Sequence, residues 1–180
     1  MVRPPKSLEV KLDLKLLSIA GTWEPNHTER RAAWELYVEL VTRISTVPLR
    51  DGLLREALTS LYSLFGTSRE VLRRYGPELA EPKKDGLYSL GHIVVAMLNA
   101  AVRPVLARWH PELEAWEAAR PPDRSRLDHE HAWPNESELR GALDELRPQL
   151  TSYAQLLGKA CGVPDLTAVV AIPAARAPSS

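Results

Sequence analysis

The sequence predicts a mainly α protein, an up-and-down four-helix bundle with an N-terminal β-strand at residues 8–17 and a short C-terminal strand at residues 166–172. Three observations carry that expectation. The run Leu8 to Leu16 alternates apolar and charged residues without a fault, a period that only a strand can use. Four later stretches repeat apolar residues at helical spacing. The chain has 180 residues, 44% of them hydrophobic and 26% charged, the composition of one ordinary domain with one core. Residues 1–163 are therefore expected to form a single helical unit, and residues 164–180 a tail whose last part, Pro173 to Ser180, has the composition of a disordered segment.

The elements follow in order. After the strand, Gly21 and Pro25 break the pattern, and Asn26-His27-Thr28-Glu29 matches a capping box that opens a helix reaching about Ser45. Ala33, Leu36, Leu40, Val41 and Ile44 form its apolar stripe. Pro48 and Gly52 mark a turn, and a second helix spans about Asp51 to Tyr75, with Gly66 as an interruption and Gly76-Pro77 as its end. From Ser89 the chain is at its most apolar, which suits a central helix touched on several sides. Pro104 should kink that helix by removing a hydrogen bond and crowding the carbonyl of Ala100, and Pro111 should divide it again. Pro121 through Pro134 forms a polar connection. Asn135-Glu136-Ser137-Glu138 is a second capping-box match, and Leu139, Leu143, Leu146, Leu150, Tyr153 and Leu157 make a heptad-like seam along the last helix.

Composition excludes several classes of function. Lys plus Arg equals Asp plus Glu at 23 each, so no overall field draws the chain to nucleic acid or an acidic membrane. No run approaches the length of an uninterrupted membrane span, and no apolar leader precedes a cleavage site; a cytoplasmic protein is the expectation. The single cysteine, Cys161, forms no internal disulfide and follows an apolar stripe, as a small apolar filler does. Phosphate-binding loops and nucleophile elbows are absent from the sequence.

Two constellations have chemical content. Arg124-Ser125-Arg126-Leu127-Asp128-His129 resembles the short signature of the HEPN ribonuclease superfamily, which are all-helical bundles. That resemblance implies metal-independent RNA cleavage, with Arg124 gripping a phosphate and His129 exchanging a proton; a solvated loop between prolines is the plain alternative. His129 and His131 with Asp128 and Glu130 offer metal-ligating groups. Residues at i and i+2 share no helix face, however, and His27, His92 and His110 supply no paired spacing. No metal or other cofactor is expected.

Leu12 to Trp23, Arg31 to Tyr37, Leu54 to Tyr62 and Arg103 to Pro111 together resemble an uncharacterised family of small helical-bundle bacterial proteins associated with conflict and phage-defence loci, over most of residues 8 to 163. The resemblance implies context and no catalytic residue.

A strand must pair, and three partners are open: the apolar run Leu166 to Ile172, a second copy of the same strand, or another protein's sheet edge. The expectation is a non-enzymatic adaptor or assembly protein, an accessory to a defence system by the resemblance above. It would work through Leu8, Val10, Leu12, Leu14 and Leu16 of the strand and through Trp23 and Trp133 at the end of the bundle. The partner is then a protein or a second copy, with neither membrane nor nucleic acid.

Overall fold

A computed structural model describes residues 4–43, 49, 52–84 and 87–166. Its described elements are a three-stranded sheet and five helices. Strand β1 is Leu8–Leu14, β2 is Leu17–Trp23 and β3 is Leu87–Tyr88. Helix α1 is His27–Val41 and α2 is Leu54–Tyr75. Helix α3 runs continuously over Leu90–Ala118, α4 is the short Arg126–His131 and α5 is Glu136–Cys161.

The N-terminal strand finds its first partner across a two-residue turn, in the segment that begins three residues past its end. β1 and β2 form an antiparallel hairpin whose register runs from Leu8↔Trp23 to Leu14↔Leu17, closed by Lys15 and Leu16 alone. None of the three partners considered from sequence is this one. β2 was hidden because its alternation is weak, since Leu17, Ser18 and Ala20 are exposed and Gly21 lies in its middle. The turn also lacks the Asn-Gly or Asp-Gly pair that announces a two-residue hairpin, and no non-glycine residue described has positive φ. β3 then pairs parallel to β2 through Thr22↔Leu87 and Trp23↔Tyr88, giving the order β1-β2-β3. Of the expected C-terminal strand, only Leu166 lies within the described residues.

The alternation of β1 does what its period implies. Leu8, Val10, Leu12 and Leu14 are buried and Glu9, Lys11 and Asp13 are exposed. The apolar face packs on α5 and on the middle of α3, and a fully buried aliphatic side chain contributes about 1.5–3 kcal/mol. The main helical contact joins α1 to α5, where Tyr37 lies against Gly158 so closely that a Cβ there would sit 3.1 Å from the ring. Leu139, Leu143, Leu146, Leu150, Tyr153 and Leu157 are all buried, as the heptad-like seam requires.

Helix termini follow the local chemistry with one exception. The Asn26 side chain accepts from Glu29 N–H at 2.8 Å, and Glu29 accepts in return from Asn26 N–H at 2.9 Å. Gly76 at φ 71° ends α2, and Gly162 at φ 68° ends α5 in the left-handed region. Asn135 makes no side-chain cap on α5; its amide donates to Glu112 at 3.2 Å instead. Gly66 and Pro111 do not interrupt their helices. Pro104 acts differently from a simple kink. Residues Met97–Val102 widen into a π turn, and Arg103 N–H reaches the Leu98 carbonyl, five residues back. A wider turn accommodates the proline ring that would otherwise strike the carbonyl of Ala100. α3 is long and apolar enough to cross a membrane by composition, but most of its apolar window is buried within the fold.

Candidate functional site

The open edge of the sheet is set by the hairpin closure. With only two residues between Leu14 and Leu17, that pair must exchange both main-chain hydrogen bonds, and such pairs alternate along an antiparallel ladder. Leu12↔Ile19, Val10↔Gly21 and Leu8↔Trp23 are then hydrogen-bonded as well, so the main-chain groups of Glu9, Lys11 and Asp13 point away from β2. β1 is the first strand of the sheet, and among the described residues nothing pairs with that outer side. Lys15 N–H, just past the edge, donates to Gln149 Oε1 at 3.3 Å.

The side chains over this edge are charged and shallowly held. Lys11 Nζ lies 2.7 Å from Glu9 Oε1, with both side chains exposed; hydrogen bonding to Glu9 holds the Lys11 ammonium above its ordinary range. Asp13 Oδ1 accepts from Ser18 Oγ at 2.9 Å. Beyond the hairpin tip the surface turns apolar. Leu16, expected on the buried face, is 69% exposed because it occupies the turn, and Leu17 and Val95 are exposed beside it. With Leu72, Leu79 and Ala96 they line a groove of about 810 Å³.

Trp23 and Trp133, expected at an interaction surface, are buried instead. Trp133 packs edge-on against Trp109 at 5.9 Å between ring centroids. Trp23 Nε1 donates to Glu29 Oε1 at 3.2 Å. Both indoles belong to the core, and that of Trp23 has its N–H satisfied internally.

Arg124 and His129 are not brought together. Arg124 is exposed and lines a depression with Asp128 and His131. His129 is buried, stacked on Trp116 at 4.7 Å and 11°, and its Nε2 lies 2.8 Å from the Trp116 carbonyl while Trp116 Nε1 donates to the His129 carbonyl at 2.9 Å. A carbonyl only accepts, so Nε2 carries the proton. His129 borders a separate cavity of about 290 Å³ with Arg55, Glu117, Arg120, Arg126 and Glu130. In it Arg55 pairs with Glu117 at 2.7 Å. Among the described residues no three His, Cys, Asp or Glu side chains are grouped as a metal requires. Burial pushes the Cys161 thiol up to about 11, and its Sγ contacts the Arg30 carbonyl at 3.4 Å.

Two buried glutamates do work that sequence reasoning missed. Glu29 Oε1 accepts from Trp23 Nε1 and from Leu90 N–H at 2.9 Å, while Oε2 accepts from Asn26 N–H and lies 2.5 Å from Lys83 Nζ. It thereby caps its own helix and the start of α3 together. Glu130 Oε1 accepts from Leu54 N–H at 2.7 Å, at the N-terminus of α2, where Leu53 offers no side-chain cap. Burial raises its carboxyl above the usual range, opposed by the Leu54 and Arg55 N–H groups and by Arg140. The capping box was the only signal for Glu29; Glu130 had none, because the start of α2 expected near Asp51 offered a capping residue of its own.

No family model matches the chain. No curated protein matches it, and no solved structure does either.

Proposed function

We propose that this protein is a non-enzymatic assembly module that associates with protein partners by adding a strand to the open edge of β1. The observation that supports the reading is that edge itself: consecutive outward-facing main-chain groups at Glu9, Lys11 and Asp13, on a strand whose other side is already paired and whose apolar face is already buried. Unpaired edges are templates for strand addition, in which main-chain hydrogen bonds give affinity and side chains set the register. The resemblance over residues 8 to 163 makes a bacterial defence complex the setting we extend this to. The decisive variant is Lys11→Pro, which removes an outward N–H while leaving the β1–β2 ladder intact, a position where proline is tolerated in edge strands. Association measured by sedimentation and by co-purification of tagged protein should be lost in Lys11→Pro with an unchanged circular dichroism spectrum. Partner binding that survives Lys11→Pro would overturn the proposal.

A further inference from the structure

We infer that the strand seated on the open edge of β1 is β1 of a second copy, antiparallel, with Leu12 on the two-fold axis. This rests on the reading of that edge as the binding surface and names its occupant. Two requirements select the register. First, only Glu9, Lys11 and Asp13 present main-chain groups outward, so these odd-numbered residues must face odd-numbered residues of the partner. Second, the charges must match. Centring the pairing on Lys11 sets Lys11 against Lys11 and Glu9 against Asp13, all like pairs. Centring it on Val10 sets Glu9 against Lys11 but leaves Asp13 against the uncharged Ser7, whereas centring it on Leu12 matches all three charges, Lys11 against Asp13, Asp13 against Lys11 and Glu9 against Lys15, and unlike pairs across a ladder attract whereas like pairs repel. The same register continues the buried row Leu8, Val10, Leu12 and Leu14 across the axis. An isologous contact of this kind closes after two copies. Because Lys15 N–H is held by Gln149, the shared ladder is confined to Lys11 and Asp13, and Glu9 meets Lys15 through side chains alone.

Charge exchange on the full-length chain tests the register. Lys11→Asp sets Asp against Asp at both equivalent positions, and Asp13→Lys sets Lys against Lys. Each single variant should dimerise roughly tenfold more weakly than wild type in sedimentation equilibrium, as two attractive pairs become repulsive. The double variant should recover wild-type affinity, and an equimolar mixture of the two single variants should form the heterodimer in preference to either homodimer. Hydrogen exchange at the Lys11 and Asp13 amides should slow as protein concentration rises. A wild type that stays monomeric with these amides exchanging freely overturns the second-copy inference while leaving addition of another protein's strand in place. A monomer in which they are already protected overturns both, since the edge is then covered within the chain. A dimer indifferent to the charge exchanges overturns the register.

Discussion

At the scale of single residues, the buried carboxylates of Glu29 and Glu130 act by holding main-chain amides, a different role from the metal ligation for which Glu130 was considered from sequence. Glu29 satisfies two main-chain N–H groups, an indole N–H and an ammonium, so Glu29→Ala strands the Leu90 amide and the Lys83 charge at once. Breaking a buried pair by removing one partner costs about 3–5 kcal/mol, and a thermal melt should fall by roughly 10 °C for a domain of this size. Glu130 has an added signature in pH. Its folded-state carboxyl is raised from 4.5 by burial, so folding favours its protonated form. The stability it contributes is fully present below the unfolded value and is lost as pH rises through the folded one. Denaturant titrations between pH 4 and 7 should therefore show wild type losing stability relative to Glu130→Gln as pH rises; a constant difference would refute the assignment. The same reasoning separates His129 from Arg124. His129→Ala forfeits a stacked ring and a buried hydrogen bond and should cost about 1–3 kcal/mol, whereas exposed Arg124→Ala should stay within about 0.5 kcal/mol. Loss of a ribonuclease activity in both, with stability unchanged in both, would be the outcome of a catalytic pair instead.

At the scale of elements, what was legible in the sequence is what depends on local pattern. The alternation of β1, the capping box at Asn26, the glycine stop at Gly76 and the seam of α5 all follow from neighbours within a turn or two. What was not legible depends on contacts across the chain. The pairing of β1 with β2 needed a turn with no turn residues, α4 is a single short helix inside a polar connection, and the cap of α2 comes from Glu130, 76 positions away. The open edge belongs to the second kind, because which residues face outward is decided by the closure at Leu14↔Leu17 and not by the alternation. Glycines show the same division. Gly66, inside α2, has nothing within 4 Å of an added Cβ, so Gly66→Ala should stabilise by about 0.5–1 kcal/mol through helix propensity alone. Gly91, in the first turn of α3, would place a Cβ 2.9 Å from the Leu79 carbonyl oxygen, and Gly91→Ala should destabilise by about 1–3 kcal/mol through overpacking. Chemical denaturation of the two variants should move the midpoint in opposite directions, although both substitutions are identical in sequence terms.

At the scale of the whole molecule, the two glutamates pin opposite ends of one hairpin of helices. Glu130 holds the start of α2, and Glu29 holds the start of α3, which follows the end of α2. The 22 residues of α2 put these sites about 33 Å apart at 1.5 Å per residue. Between them lies one buried cluster that takes in β1, β2 and four of the five helices, α4 excepted, from Leu8 to Ala160. Sites so far apart without a shared partner should act independently in free energy, their effects adding within about 0.5 kcal/mol. Because they stabilise the same core, however, both should act on a single transition. The double variant Glu29→Ala with Glu130→Gln should therefore unfold in one step, with a change in stability equal to the sum of the single changes, by tryptophan fluorescence and by far-ultraviolet circular dichroism alike. Two separated transitions, with the amides of β1 and β2 losing hydrogen-exchange protection before helicity is lost, would mean that the hairpin sheet unfolds from the helices as an independent unit. In that case the edge of β1 would be carried on a detachable flap, and strand addition there would depend on the stability of the sheet alone.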